Sequence, residues 1–184
     1  QVLIPGVPEL QVDIASNLEI QLGEQYQLIA TVNVPEFQID TIIWTPAIAL
    51  SCTDCLDPIA APLDFTTYQV TAVSENGCIA TNKVEVAVQQ VSEVYIPNAF
   101  SPNEDSNNDL FMIYANEISI AQVNEFRIFS RWGELLYSAE DFAPNERSFA
   151  WDGRFRGQEM STGVYIYFAE IEFIDGVKKM YKGD

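Results

Sequence analysis

Histidine is absent from the 184 residues. Without an imidazole, Ser–His–Asp and Cys–His catalysis are excluded, as is every zinc site that needs one. Cysteine is limited to Cys52, Cys55 and Cys78. Cys52-Thr53-Asp54-Cys55 has the spacing of half a zinc site, but Cys78 supplies only a third thiolate. The spacing reads as a short local disulfide, Cys52–Cys55, in an oxidising compartment. Cys52–Cys78 and Cys55–Cys78 bridges stay open, and each choice leaves one thiol over. Bases are also scarce: 9 against 27 acids, a net charge of −18. Such a surface repels phosphate backbones, so nucleic acid is a poor partner. No run approaches the ~20 apolar residues of a membrane span. The opening Gln1-Val2-Leu3-Ile4-Pro5-Gly6 lacks a basic region and a long apolar stretch, so it does not read as a signal peptide. A leader, for an exported protein, has been removed or lies upstream. Helix signals are missing too; only Asn116 to Val123 has room for a turn or two.

Alternation is abundant. Apolar residues make up 48% of the chain, enough for a real core in one or two domains. Tyr26, Leu28, Ala30 and Val32 share one face. Tyr68, Val70 and Ala72 form a second, and Val84, Val86 and Val88 a third. Thr41-Ile42-Ile43-Trp44 reads as a more buried strand with a core tryptophan. Period-two runs between Pro, Gly, Asn and Asp clusters mean antiparallel β-structure. Charge divides the chain near Gln89-Gln90-Val91-Ser92, with eleven acids and one base before it and sixteen acids and eight bases after it. The expected fold class is all-β: two tandem immunoglobulin-like antiparallel β-sandwiches, residues 1–92 and 93–184.

The second half carries more punctuation. Phe126, Ile128 and Trp132 alternate with Arg127 and Arg131, and Gly133-Glu134 turns the chain into Leu135-Leu136-Tyr137. Val164 to Ile174 reads as a long strand, with Tyr167, Ala169, Ile171 and Phe173 facing the core. Asp175-Gly176 predicts a two-residue type I′ hairpin that sets Ile174 opposite Val177 and Glu172 opposite Lys179. Lysines along Val177 to Lys182 suit a protected edge. Trp151-Asp152-Gly153, then Gly157 and Thr162-Gly163-Val164-Tyr165, reads as a strand end, a turn and a new strand. Trp151 caps the core there, Asp152 accepts backbone N–H bonds, and Gly153, Gly157 and Gly163 are candidates for positive φ. A sugar platform built on Trp132, Trp151 and Tyr165 is the competing interpretation.

These blocks carry a resemblance. Ile96-Pro97-Asn98-Ala99-Phe100-Ser101-Pro102-Asn103, Asp105, Asn108-Asp109 and Phe111 open it. Phe126-Arg127-Ile128-Phe129-Ser130-Arg131-Trp132-Gly133-Glu134, Trp151-Asp152-Gly153, Gly163-Val164-Tyr165-Ile166-Tyr167 and Lys182-Gly183-Asp184 follow in order. Together they resemble the type B C-terminal domain of the Bacteroidota type IX secretion system, also called the gliding-motility-associated C-terminal domain. The Trp-Asp-Gly part is also similar to the immunoglobulin-like domain of flagellar hook-capping proteins. Residues 1–92 resemble the immunoglobulin-like or PKD-like repeats that precede such domains, through Trp44-Thr45-Pro46, Leu50-Ser51-Cys52-Thr53-Asp54-Cys55, Thr66 to Ala72 and Glu75-Asn76-Gly77-Cys78. The resemblance implies a non-enzymatic sorting signal on a large surface protein such as an adhesin. It implies transit through the periplasm to the surface of a Gram-negative bacterium, and a PorP/SprF-type outer-membrane barrel as partner. A monomer is expected.

Phe100-Ser101-Pro102-Asn103-Glu104-Asp105-Ser106-Asn107-Asn108-Asp109-Leu110-Phe111 admits three readings. Asn103, Asp105, Asn107 and Asp109 alternate and could offer oxygens to calcium, the one cofactor considered. It is not an EF-hand, whose sixth and twelfth positions fall on Asn108 and Tyr114 here. In the family the loop usually has glycine where Glu104 and Ser106 stand, and their loss restricts tight wrapping. The second reading is a chain of Asx turns that satisfies its own backbone. Paired-carboxylate catalysis, the third, needs a cleft and a raised pKa that this loop does not promise. For docking, the candidates are Arg127, Arg131, Arg154, Arg156, Lys178, Lys179 and Lys182. A calcium-dependent adhesive or carbohydrate-binding module is the alternative function.

Overall fold

The computed structural model describes residues 9–15, 17–90 and 93–184. The opening Gln1–Gly6 lies outside them, as does part of the charge boundary at 91–92. The chain forms two compact units, Gln1–Gln90 and Val91–Asp184.

In the first unit the strands are β1 (Val12–Ile14), β2 (Leu18–Gln21), β3 (Tyr26–Gln27), β4 (Ala30–Val32), β5 (Ile39–Thr45), β6 (Ile59–Ala60), β7 (Thr66–Ser74) and β8 (Ile79–Gln89). One sheet runs β2-β8-β7-β5; β1 pairs with β4 and β3 with β6 in the opposite layer. The ladders are antiparallel except β2 on β8, which runs parallel with Leu18 opposite Val86. An early strand laid parallel to the last, over two facing layers, makes this an immunoglobulin-like sandwich. Alternation explains the core. Tyr68, Val70 and Ala72 of β7 and Val84 and Val86 of β8 point inward, as do Leu28 and Ala30. Ile42 and Trp44 are buried while Ile43 between them is exposed, so β5 alternates rather than being buried throughout. Tyr26, at the start of its run, is also exposed.

The second unit contains β9 (Val94–Tyr95), β10 (Tyr114–Ala115), β11 (Ile120–Ser130), β12 (Leu135–Phe142), β13 (Arg154–Phe155), β14 (Gln158–Glu159), β15 (Tyr165–Phe173) and β16 (Lys178–Gly183). Here one layer is a four-stranded sheet, β12-β11-β15-β16, antiparallel throughout. The other is assembled from short pieces: the β9–β10 and β13–β14 pairs and a bridge between Phe111 and Trp151. Val123, Phe126 and Ile128 of β11 and Ala169, Ile171 and Phe173 of β15 fill the space between them, with Phe111, Met112, Ile113 and Trp151 from the opposite side. Two 3-10 turns, Glu36–Gln38 and Arg147–Phe149, fall outside the one stretch with room for a helical turn. In the second, Phe149 stacks on Phe142 with ring centroids 4.7 Å apart, a packing gain that composition does not announce.

The β15–β16 hairpin differs from expectation by one residue. Phe173 donates to Val177 O at 2.8 Å, and Gly176 donates to Phe173 O at 2.9 Å. The loop is therefore three residues long. Of Asp175 and Gly176 only the glycine has positive φ, +82°, whereas a type I′ turn needs both. The cause lies beside the turn: Ile174 N–H donates to Ser119 O, and Asp175 accepts the Val177 N–H. Glu172 consequently faces Lys178, not Lys179. Gly153 and Gly157 take positive φ, but Gly163 does not.

Candidate functional site

The polar loop is built around Asp109. One carboxylate oxygen, Oδ1, accepts the N–H groups of Asn103 (3.0 Å) and Glu104 (2.8 Å), and Oδ2 accepts that of Ser106 (2.8 Å). Asn103 Oδ1 accepts from Asp105 N, and Asp105 Oδ1 from Asn107 N. Two donors hold the Asp105 carboxyl below the usual range, the Asn107 N–H contributing most and the Asn103 amide, whose Nδ2 lies 3.0 Å from Asp105 Oδ2, next. Successive side chains thus satisfy the backbone of their own loop, the Asx-turn arrangement. Glu104, Ser106 and Asn108 all adopt positive φ (62°, 71° and 53°). The tight wrap persists without glycine, at the expense of strain that glycine would relieve.

Aromatic rings anchor the loop's two ends. Phe100 packs 5.3 Å from Trp151 and 5.6 Å from Phe111. Phe111 exchanges backbone hydrogen bonds with Trp151 in both directions at 2.9 Å. Gly153 lies against this loop so closely that a Cβ there would come 2.8 Å from Pro102 Cγ. Asp152 accepts the Arg154 N–H, and Trp151 Nε1 donates to Arg154 O. The Trp-Asp-Gly motif is thus the seat on which the loop rests. Trp151 is only 2% exposed and cannot stack on a sugar; Trp132 is 88% exposed at the β11–β12 turn. The platform of Trp132, Trp151 and Tyr165 is therefore not formed as a surface, and Trp132 is not a core residue. The strand ends at Ser130, and with it the period-two pattern that places Trp132 inside.

The basic residues are distributed. Arg154 faces Glu104 and Glu159 at 3.5 and 3.2 Å, and Arg156 lies 4.8 Å above the Phe155 ring. Arg127 pairs with Glu125. Lys178 sits 3.1 Å from Glu172 and 3.9 Å from Glu170. The Glu172 carboxyl is held low by Lys178 and then Asn124, and the Lys178 ammonium is raised by Glu172. Lys179 turns to the other face, over the Phe173 ring. Arg127, Phe168 and Lys182 share one row across β11, β15 and β16. Arg131 and Lys182 line a shallow hollow with Val164, Ile166, Gly183 and Asp184. The motifs do not announce the apolar part of this face, although Val164 and Ile166 must point outward wherever Tyr165 and Tyr167 point inward.

A cleft of about 660 Å³ opens beside Phe100, Trp151, Tyr165 and Tyr167. Its carboxylates, Glu159 and Asp184, are both exposed, whereas carboxylate-pair hydrolysis needs one partner kept protonated. In the first unit a disulfide joins Cys52 and Cys55, with Cα atoms 6.0 Å apart, and Cys78 is a free, exposed thiol.

Residues 94–183 match the family model described as CHU_C Type IX secretion signal domain. The second unit belongs to this family. A type IX secretion signal domain marks its protein for export and for contact with the secretion machinery. No curated protein matches the chain. Among solved structures, the chain is similar to the N-terminal eight Ig domains of Down Syndrome Cell Adhesion Molecule, at 13% identity and TM-score 0.41, covering 95% of this chain and 27% of that one. It is similar to Bacteroides ovatus SGBP-B in complex with a mixed-linkage heptasaccharide, at 13% identity and TM-score 0.38, covering 96% and 47%. Dimeric latent PorU from Porphyromonas gingivalis matches at 16% identity and TM-score 0.30, covering 93% and 20%. The chain thus spans less than half of each, and likeness at this level carries no functional weight. No helix among the described residues is long and apolar enough to cross a membrane.

Proposed function

We propose that residues 93–184 act as a non-catalytic sorting signal that carries a large surface protein, an adhesin for instance, through the type IX system to the cell surface. Residues 1–92 serve as an immunoglobulin-like spacer. The signal works as a monomer, recognised by its surface, with a PorP/SprF-type outer-membrane barrel as receptor. The family match over residues 94–183 carries this reading. The loop geometry supports it: aromatic seats and Asx turns hold the exposed loops in fixed shape, which lowers the ordering entropy of recognition. Deleting residues 93–184 from the parent protein is expected to abolish its appearance on the surface while the periplasmic form accumulates. Unchanged display would remove the proposal.

Calcium has weaker support. Both oxygens of Asp109 already serve backbone N–H groups, which favours the hydrogen-bonded loop over an ion cage. The melting midpoint is expected to be the same in calcium and in chelator. A rise with calcium would reinstate the cation, because a ligand of the folded state must raise the midpoint.

A further inference from the structure

We propose that the β11–β12 hairpin tip, with Trp132 at its point and Arg131 and Lys182 beside it, is the contact that grips the export partner, a protein presenting an apolar slot rimmed by carboxylates. This rests on the sorting function above and assigns it a surface. An indole 88% exposed leaves on the order of 150–250 Å² of ring surface to be covered by a partner. The tip that holds it is not slack. Ser130 Oγ accepts the N–H groups of Trp132 (3.3 Å) and Glu134 (3.2 Å). Ser130 N–H donates to Glu134 O, and Gly133 N–H donates to Ser130 O, both at 2.9 Å. Gly133 takes φ +83°, which the turn requires. An exposed tryptophan on a turn whose backbone is held, flanked by arginine, has the composition of a binding hot spot.

The neighbourhood defines the partner. Leu135 and Ile166, both 45% exposed, flank Phe129 in register on the outer face, and Val164 lies beside them in the hollow. Arg131 and Lys182 are exposed and make no ion pair among the described residues, in a chain of net charge −18. Apolar cover plus carboxylates complements that pairing. An anionic bilayer fits less well, because Glu125, Glu140 and Glu170 stand in register on the same face. A glycan needs paired amides and carboxylates for its hydroxyls, and the hollow offers one carboxylate, Asp184.

The test uses the full-length parent in its own cells. Trp132→Ala, and separately Arg131→Glu with Lys182→Glu, should each reduce surface display at least about tenfold, the effect of losing one hot spot, with unchanged melting of the purified protein. Trp132→p-benzoylphenylalanine should cross-link to an outer-membrane protein of the secretion machinery, within a segment of apolar and acidic residues. Full display of both variants, or cross-links to lipid or glycan, would overturn the assignment. If that happens while deletion of residues 93–184 still blocks display, the sorting function stands and only the tip is wrong. If the deletion too is harmless, both fall.

Discussion

Each unit buries one tryptophan, and in each the indole N–H donates to a main-chain carbonyl later in the chain: Trp44 to Cys55 at 2.8 Å, Trp151 to Arg154 at 2.9 Å. Around Trp44 the core is mainly aliphatic, with Val70, Ala72, Val84 and Val86 on long ladders. Around Trp151 it is aromatic: Phe100 and Tyr165 pack on the indole, and Phe111 links it to Phe126 and Tyr167. The ladders do not explain it, since each unit sets a four-stranded sheet against pairs two or three residues long and one bridge. What differs is how the short pieces are fastened: in the first unit by further main-chain bonds such as Leu28 N–H to Pro58 O and Ala30 N–H to Leu56 O, in the second by packed rings and the Asp109 carboxylate.

Truncating the indoles gives the largest test of that contrast. Trp151→Ala should cost about 3–5 kcal/mol, as should Trp44→Ala. In calorimetry each should lower the transition of its own unit. A Trp151→Ala protein whose second unit melts as before would break the comparison.

Next comes Asp109→Ala, which removes three charge-assisted hydrogen bonds from the polar loop. A loss of about 2 kcal/mol from the second unit is expected in a denaturant titration. Ser106→Gly works in the opposite direction. Relief of the left-handed conformation, less the added chain entropy, should stabilise by about 0.5–1 kcal/mol.

The smallest effect is electrostatic. Glu172 and Asp105 are held below the ordinary carboxyl range, so their stabilisation is present above a pH of roughly 4 and fades as pH falls through their lower folded values. The raised Lys178 stabilises below roughly pH 10, and that contribution is lost as pH rises through its higher folded value. Asp105 and Lys178 are exposed and Glu172 is partly so, and salt should weaken both limbs. Lys178→Ala should shrink both limbs in midpoint-against-pH curves; the alkaline fall that remains belongs to Tyr68, Tyr137 and Tyr167, whose phenols are raised by burial.

Much of the fold is legible as period-two alternation, including the inward rows of β7, β8 and β15 and the seating of Trp151. What escapes it depends on contacts between distant residues. The β15–β16 register is shifted by one because Ile174 bonds to Ser119, fifty-five residues earlier. Alternation places Trp132 with the core because it says nothing about where a strand stops. The left-handed Glu104 and Ser106 are hidden for another reason: side chains there are strained, and only the Asp109 carboxylate makes that conformation hold. As for the site, the motif residues mark the domain, while the outward Val164 and Ile166 join Arg131 and Lys182 only once the sheet is formed.

The most direct measurement transplants the signal. Residues 93–184, with whatever continues past Asp184 in the parent, are fused to a reporter exported to the periplasm, in cells with and without the type IX machinery. The reporter should reach the surface only where the machinery is present. A reporter that stays in the periplasm of competent cells, or reaches the surface of cells lacking the machinery, would contradict the sorting function.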